Sequence, residues 1–204
     1  MKSNKDLVNY LVMTGILKSK EIINAFTSID RKDFVGLKNV DNAYEDHALS
    51  IGYGATISQP TTVAFMLERL GAMPGNIVLD IGTGSGWTTA LLATIVGKKG
   101  RVYGIEIVPE LLAFGQYNLN KYKFSNVSLE QAGDTLGLPA NAPFDRILVS
   151  AGTNHVPNEL LMQLKEGGTM IIPIDAAIWE VKKSSDSATT IYKYPGFMFV
   201  PLQE

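Results

Sequence analysis

Cysteine is absent from this chain of 204 residues. That excludes disulfides, thiolate metal sites and a cysteine nucleophile. Histidine is scarce: His47 and His155 stand alone, and neither has a partner at metal-ligand spacing. No metal site is expected, and both read as surface or packing residues. An excess of one charge is also missing. Eighteen Lys and Arg against twenty Asp and Glu leave a formal net charge of -2, too balanced for broad electrostatic binding to nucleic acid or an anionic membrane. No apolar run approaches membrane-spanning length, and the opening Met1-Lys2-Ser3-Asn4-Lys5-Asp6 leads into a mixed pattern rather than a signal-peptide core. The expectation is a cytoplasmic, monomeric protein that binds neither nucleic acid nor membrane.

What the chain does have is 46% hydrophobic and 19% charged residues, enough to build one sizeable core. A single domain over 1–204 is expected, with helices and a loop in 1–75, an α/β core in 76–175 and strands in 176–204. Leu7, Tyr10 and Leu11 suggest a short helix closed near Gly15. Ser19 reads as the cap of a second, with Ile22, Ile23 and Phe26 on one face. A loop-rich stretch runs from Arg31 to Gln59, and Pro60 opens a helix that Gly71 ends. Apolar runs then alternate with helical ones, the pattern of a doubly wound α/β sheet. Strands are placed at about 76–81, 101–107, 127–132, 144–151 and 168–174, and helices near 86–97, 109–123 and 157–165. The tail reads as two strands, Ile178–Lys182 and Thr189–Val200, around a polar loop of residues 184–187.

The densest signal is Val78-Leu79-Asp80-Ile81-Gly82-Thr83-Gly84-Ser85-Gly86. An apolar strand ends in an acid, three glycines alternate, and an apolar helix begins at Trp87. Glycines at this spacing let a ligand lie against backbone where a Cβ would intrude, and the open amides of the helix start favour electron-rich groups. The dinucleotide fingerprint places its third glycine one residue later. This register resembles the nucleoside pocket of S-adenosylmethionine-dependent methyltransferases. Glu106, ending the next strand before Ile107, is placed to accept two hydrogen bonds from a ribose diol. Asp134, after the third strand, is placed to take the exocyclic amine of adenine. Each acid alone would be an ordinary solvated loop residue; their order at successive strand ends favours a nucleoside site over scaffold. Trp87 reads equally as a pocket edge or as packing. The string Thr56-Ile57-Ser58-Gln59-Pro60 is the second signal. Its plain reading makes Ser58 a helix cap and Pro60 a first-turn residue, which leaves the rest of the string unexplained.

Together these residues resemble the protein-L-isoaspartate O-methyltransferase family over most of the chain. Arg31-Lys32-Asp33-Phe34-Val35 is close to its R-x-x-F-V, Thr56 to Pro60 matches its T-I-S-x-P, and Val200-Pro201-Leu202 matches its closing V-P-L. The glycine motif is shared with many methyltransferases; T-I-S-x-P with V-P-L is far more specific to this family. The resemblance implies a Rossmann-like fold with an N-terminal helical extension and a C-terminal β-hairpin. It implies methyl transfer from S-adenosyl-L-methionine to the free α-carboxylate of isoaspartyl residues in peptides and proteins. The residues implied for the cofactor are Asp80, Gly82, Thr83, Gly84, Ser85, Gly86, Glu106, Ile107, Asp134 and Thr135. Ser58 is implied to orient the substrate carboxylate. Thr56 and Ile57 would line the same cleft, and Val200, Pro201 and Leu202 would hold the peptide backbone or close over the cofactor.

The chain departs from the family pattern at four places. Thr135 stands where glycine is usual, Gly152-Thr153-Asn154 replaces a small-Ala-Pro run, Trp87 replaces tyrosine, and the tail is short. Two other readings stand beside the repair enzyme: a methyltransferase esterifying one dedicated peptide or protein, and a non-catalytic S-adenosylmethionine-binding adaptor. The retained Ser58 speaks against the adaptor.

Overall fold

The computed structural model describes residues 1–185 and 188–202. Helix α1 (Asn4–Met13) starts where the Ser3 hydroxyl accepts the Asp6 amide, and it buries Leu7, Val8 and Leu11 while Tyr10 stays exposed. Helix α2 (Lys20–Ser28) begins at Ser19 as expected, but the Ser19 hydroxyl does not cap it. It donates to Glu68 at 2.6 Å, and the same carboxylate takes the Lys18 and Ser19 amides. A charged acceptor on a neighbouring helix has displaced the local cap.

The stretch expected to be loop contains more order than its sequence suggested. Two 3-10 turns, Arg31–Phe34 and Leu37–Asn42, precede a small antiparallel pair, β1 (Leu49–Gly52) and β2 (Ala55–Ile57). Tyr53 and Gly54 between them both have positive φ, the geometry of a two-residue hairpin turn. Helix α3 (Pro60–Leu70) follows, with Pro60 in its first turn and the left-handed Gly71 closing it.

The main sheet comprises β3 (Ile77–Ile81), β4 (Arg101–Glu106), β5 (Val127–Gln131), β6 (Phe144–Val149), β7 (Leu164–Ile174), β8 (Ala177–Lys183) and β9 (Thr189–Pro195). Their order is β5-β4-β3-β6-β7-β8-β9, parallel from β5 to β7 and antiparallel beyond. Helices α4 (Trp87–Val96), α5 (Pro109–Asn120) and α6 (Asn158–Gln163) connect the parallel strands. The chain builds outward from β3 through β4 to β5, then returns to lay β6 on the other side of β3. A sheet of this kind opens a crevice at that switch, beyond the carboxyl ends of β3 and β6.

Two sequence expectations are corrected, and the open reading of Trp87 is decided. Strand β7 starts at Leu164, four residues before the expected start, and shortens α6; its register with β6 slips between Phe144 and Arg146. The last strand ends at Pro195 rather than Val200, because Gly196 turns the chain and both the Gly196 and Phe197 amides bond the Ala176 carbonyl. Trp87 is packing: it is buried edge-to-face against Phe26, with centroids 5.5 Å apart. Burying a side chain of this kind contributes roughly 1.5–3 kcal/mol. Of the expected polar hairpin loop, Asp186 and Ser187 lie outside the described residues.

Gly104 in β4 lies beneath the glycine loop. A Cβ there would stand 2.3 Å from Leu129 and 2.7 Å from the Thr83 methyl. Gly104→Ala is therefore expected to cost about 1–3 kcal/mol by overpacking, measured by urea denaturation; an unchanged midpoint would contradict this packing.

Candidate functional site

The turn after β3 is built from backbone constraints. Gly82, Gly84 and Gly86 have φ of 77°, 50° and 83°, a left-handed region that L side chains adopt only at a cost. The Gly82 and Thr83 amides bond the Ile105 carbonyl, and Gly86 bonds Thr83. Two residues of α5 brace the loop from outside. Gly115 approaches so closely that a Cβ on it would stand 3.0 Å from the Gly84 carbonyl, and the buried Asn118 amide donates to Ser85 at 3.0 Å. Neither was anticipated. The available signal was a glycine inside a helix with asparagine three residues on, one face of the same turn.

The three acids are placed very differently. Asp80 is sealed from solvent, and its carboxylate accepts the Thr89 and Thr88 hydroxyls at 2.7 and 2.8 Å. It pins the start of α4 to β3 from within. Burial raises its pKa from 3.8 to about 6, the two threonine hydrogen bonds opposing and the Glu106 charge assisting. Glu106 is 6% exposed. One of its oxygens accepts the Gly84 amide at 2.8 Å and the other the Val108 amide at 3.1 Å. Each oxygen keeps a further lone pair for a diol. Asp134 and Thr135 are exposed beyond β5, and Ile107 is half-buried. Thr83 and Ser85 are buried in the loop. Thr135 does not have positive φ; the left-handed position of this turn is Gly137, at 87°. The substitution at Thr135 is therefore accommodated without backbone strain.

A cleft of about 450 Å³ is lined by Thr56, Ser58, Gln59, Thr62 and Ser150 on one side and by Phe197 to Val200 on the other. Asp46 and His47 complete its rim. Ser58 is not the helix cap: Gln59 holds that position, and the Asp46 carboxylate takes both the amide and the hydroxyl of Thr61, at 2.9 and 2.7 Å. Among the described residues, nothing bonds the Ser58 hydroxyl. Ser150 joins this cleft to the glycine loop, because a Cβ on Gly82 would lie 4.0 Å from its own.

Arg31 fixes the cleft from below. Its guanidinium is fully buried and donates to the carbonyls of Ala43, Glu45, His47 and Ser58 at 2.7, 3.2, 3.0 and 3.1 Å. It lies over the Trp87 ring, 5.3 Å from the centroid. Burial lowers its pKa to about 10, with Asp46 working against the shift, so it remains charged at neutral pH. No local sequence pattern announces this contact, since its acceptors are backbone oxygens up to 27 residues away.

Of the five residues expected on the acceptor side, Thr56 and Val200 share the cleft with Ser58. Ile57 does not: its side chain is buried in the core, because β2 alternates and turns it away from Thr56. Pro201 forms a bridge with Gly152, whose N–H and C=O bond Val200 and Leu202, both at 2.8 Å. Leu202 packs on the core beneath β6. The unusual Gly152 thus supports the closing segment, and Thr153 folds back on the carbonyls of His155 and Pro173. Among the described residues, no group of three or more metal-binding side chains occurs, and no helix is long and apolar enough to cross a membrane.

The family model for protein-L-isoaspartate(D-aspartate) O-methyltransferase matches residues 2–204. The chain belongs to this family. It is 40% identical to a protein-L-isoaspartate O-methyltransferase of Methanopyrus kandleri, covering 98% of this chain and 91% of that protein. It is 41% identical to the Pyrococcus horikoshii protein of the same name, covering 97% and 91%. Its fold superposes with a TM-score of 0.89 on a Plasmodium falciparum protein-L-isoaspartate O-methyltransferase structure in complex with S-adenosyl-L-homocysteine, at 26% identity, over 100% of this chain and 99% of that one.

The buried Asp80 gives the site a pH signature. An acid whose folded pKa is raised binds more protons folded than unfolded, so its contribution to stability falls as pH rises from about 4 to about 6. A rise from 3.8 to about 6 corresponds to roughly 3 kcal/mol. Asp80→Asn keeps an acceptor for the threonines and should remove this dependence. Urea denaturation at pH 4 and pH 7 would show the stability of the variant gaining on the parent by about that amount; parallel profiles would contradict the assignment.

Proposed function

We propose that this protein transfers the methyl group of S-adenosyl-L-methionine to the free α-carboxylate of L-isoaspartyl residues in damaged proteins and peptides, beginning their repair and leaving S-adenosyl-L-homocysteine. The observation that carries this reading is the junction at Ser150. There a cleft with an unengaged serine hydroxyl abuts a glycine turn whose neighbouring acid keeps free lone pairs.

The residues present fit the cofactor. The left-handed glycine turn exposes backbone, Glu106 suits a ribose diol, and Asp134 suits the adenine amine, with Asp80, Thr83, Ser85 and Gly86 shaping the turn and Ile107 and Thr135 flanking the acids. When bound, the cofactor supplies a methyl group already activated on a sulfonium. The protein needs no strong base, because the acceptor carboxylate is ionised at neutral pH. Its task is alignment, and a well-held geometry is worth several kcal/mol. Ser58 donates to the carboxylate and turns one oxygen toward the methyl. Thr56, Gln59 and Ser150 offer further neutral donors, and the cleft lining contains neither lysine nor arginine. A carboxylate held by neutral donors is not neutralised by an ion pair and stays nucleophilic. Val200 and its neighbours Pro201 and Leu202, anchored through Gly152, present a strand edge to the acceptor backbone.

Gly152 supports the closing segment and Thr153 is tied to the His155 and Pro173 carbonyls, so both departures serve scaffold, which favours general isoaspartyl peptides over one dedicated acceptor. We further propose that it acts as a cytoplasmic monomer, without nucleic acid or membrane. The net charge of -2 supports the latter part, and the lack of cysteine accords with a reducing compartment.

The test uses methyl-labelled S-adenosyl-L-methionine with paired peptides that differ only in isoaspartate against aspartate, read as base-labile methanol. Label should enter the isoaspartyl peptide alone; label in neither would sink the proposal. Ser58→Ala should lower kcat/KM by about 10–100-fold, the loss of one hydrogen bond to a charged group. Affinity for S-adenosyl-L-homocysteine, measured by calorimetry, should be unchanged.

A further inference from the structure

Gln163, the last residue of α6, is buried, and nothing in the reaction asks for a polar group there. Burying an amide is costly unless its hydrogen bonds are met, and here they are met by the backbone of a distant loop. The Gln163 Oε1 accepts the Leu138 amide at 2.6 Å, and Nε2 donates to the carbonyls of Leu136 and Glu159 at 2.8 and 3.0 Å. The segment 136–138 therefore pairs with a side chain as it would with a neighbouring strand. Gly137 between the two contacts has φ of 87°, and a Cβ on it would stand 2.4 Å from Oε1 and 2.5 Å from Nε2. The glycine is there to admit the glutamine.

This loop continues directly from Gly133 and Asp134. The Asp134 carboxylate is exposed and bonds no described residue, so its position is set by backbone alone. One end of that backbone is fixed where the Ala132 amide bonds the Glu106 carbonyl at 2.9 Å. The other end is fixed at Gln163.

We propose that Gln163 is a positioning residue for the cofactor: by clamping Leu136 and Leu138 it holds the Asp134 loop in the conformation that receives the adenosyl end of S-adenosyl-L-methionine. This rests on the reading that Asp134 takes the adenine amine. The clamp removes loop disorder before binding, so its effect falls on affinity rather than on the transfer step. It also couples α6 to the cofactor loop. Gln163-Leu164 belongs to the segments that resemble the family, but neither periodicity nor composition shows that the glutamine is buried against a distant loop.

Gln163→Met preserves chain length and approximate volume and removes both hydrogen-bonding atoms. Gly137→Ala attacks the same contact from the loop side, and Asp134→Ala tests the underlying reading. Calorimetry with S-adenosyl-L-homocysteine and steady-state kinetics on an isoaspartyl peptide are the measurements. Gln163→Met and Gly137→Ala should each raise the Kd for S-adenosyl-L-homocysteine and the KM for S-adenosyl-L-methionine about tenfold, with kcat at saturating cofactor within about twofold of the parent. Hydrogen exchange should show the Leu138 amide losing protection in Gln163→Met. A folded Gln163→Met that binds S-adenosyl-L-homocysteine like the parent overturns the proposal, and so does a loss of kcat with KM for the cofactor unchanged. If Asp134→Ala alone weakens binding, only the role of Gln163 has failed; if it too binds normally, the adenine reading has failed with it.

Discussion

One buried cation holds the acceptor side of this protein together. Arg31 is closed off from solvent beneath the cleft, and its charge is satisfied by four carbonyl oxygens rather than by a carboxylate. Three of those carbonyls belong to the segment 43–47, which carries the rim residues Asp46 and His47. The fourth belongs to Ser58. A planar guanidinium presents several donors in fixed directions, so a single side chain sets the spacing between rim and floor. The Trp87 ring beneath it ties that spacing to the first residue of α4, and hence to the glycine turn. The acceptor cleft is thereby set against the cofactor turn, which keeps braces of its own in Gly115, Asn118 and Glu106.

The same economy recurs around the cofactor turn. The groups best suited to hold backbone are buried and engaged with protein: Asp80 on two threonines, Glu106 on two amides, Asn118 on the Ser85 carbonyl. The Ser58 hydroxyl and the Asp134 carboxylate bond no described residue, and both stand at surfaces open to a ligand. Pairing offsets most of the cost of burying these groups, although the second Asp80 oxygen and the Thr83 hydroxyl are buried without a partner among the described residues. Asp46 follows the same division, since its carboxylate caps α3 and leaves the neighbouring Ser58 free.

The sequence was most informative where the chemistry is local. The glycine turn, the order of Asp80, Glu106 and Asp134 at successive strand ends, and the string from Thr56 to Pro60 all lie within short segments, and they led to the fold and the family. It was least informative where one side chain serves distant backbone. Arg31, Gln163 and Asn118 act on carbonyls or amides 12 to 33 residues away, and composition and periodicity carry no trace of such contacts. Ile57 shows the complementary limit. Its place inside a motif suggested a cleft-lining role, but strand alternation in a three-residue strand turned it into the core. The short β1 and β2 were hidden because glycines at positions 52 and 54 read as loop until the left-handed turn between the strands is seen.

On the proposed function, Arg31 positions Ser58, while cofactor binding rests on the glycine turn and its own braces. Arg31→Lys retains the charge but replaces the rigid fork with a single ammonium that cannot span the same four carbonyls. The decisive measurement is methyl transfer to an isoaspartyl peptide by this variant, set beside its calorimetric affinity for S-adenosyl-L-homocysteine. The kcat/KM for the peptide is expected to fall by about a hundredfold, the scale of a small misplacement of a reacting group, while the affinity is retained. A folded Arg31→Lys protein with parental kinetics, or one that loses affinity in step with activity, would contradict this role of Arg31.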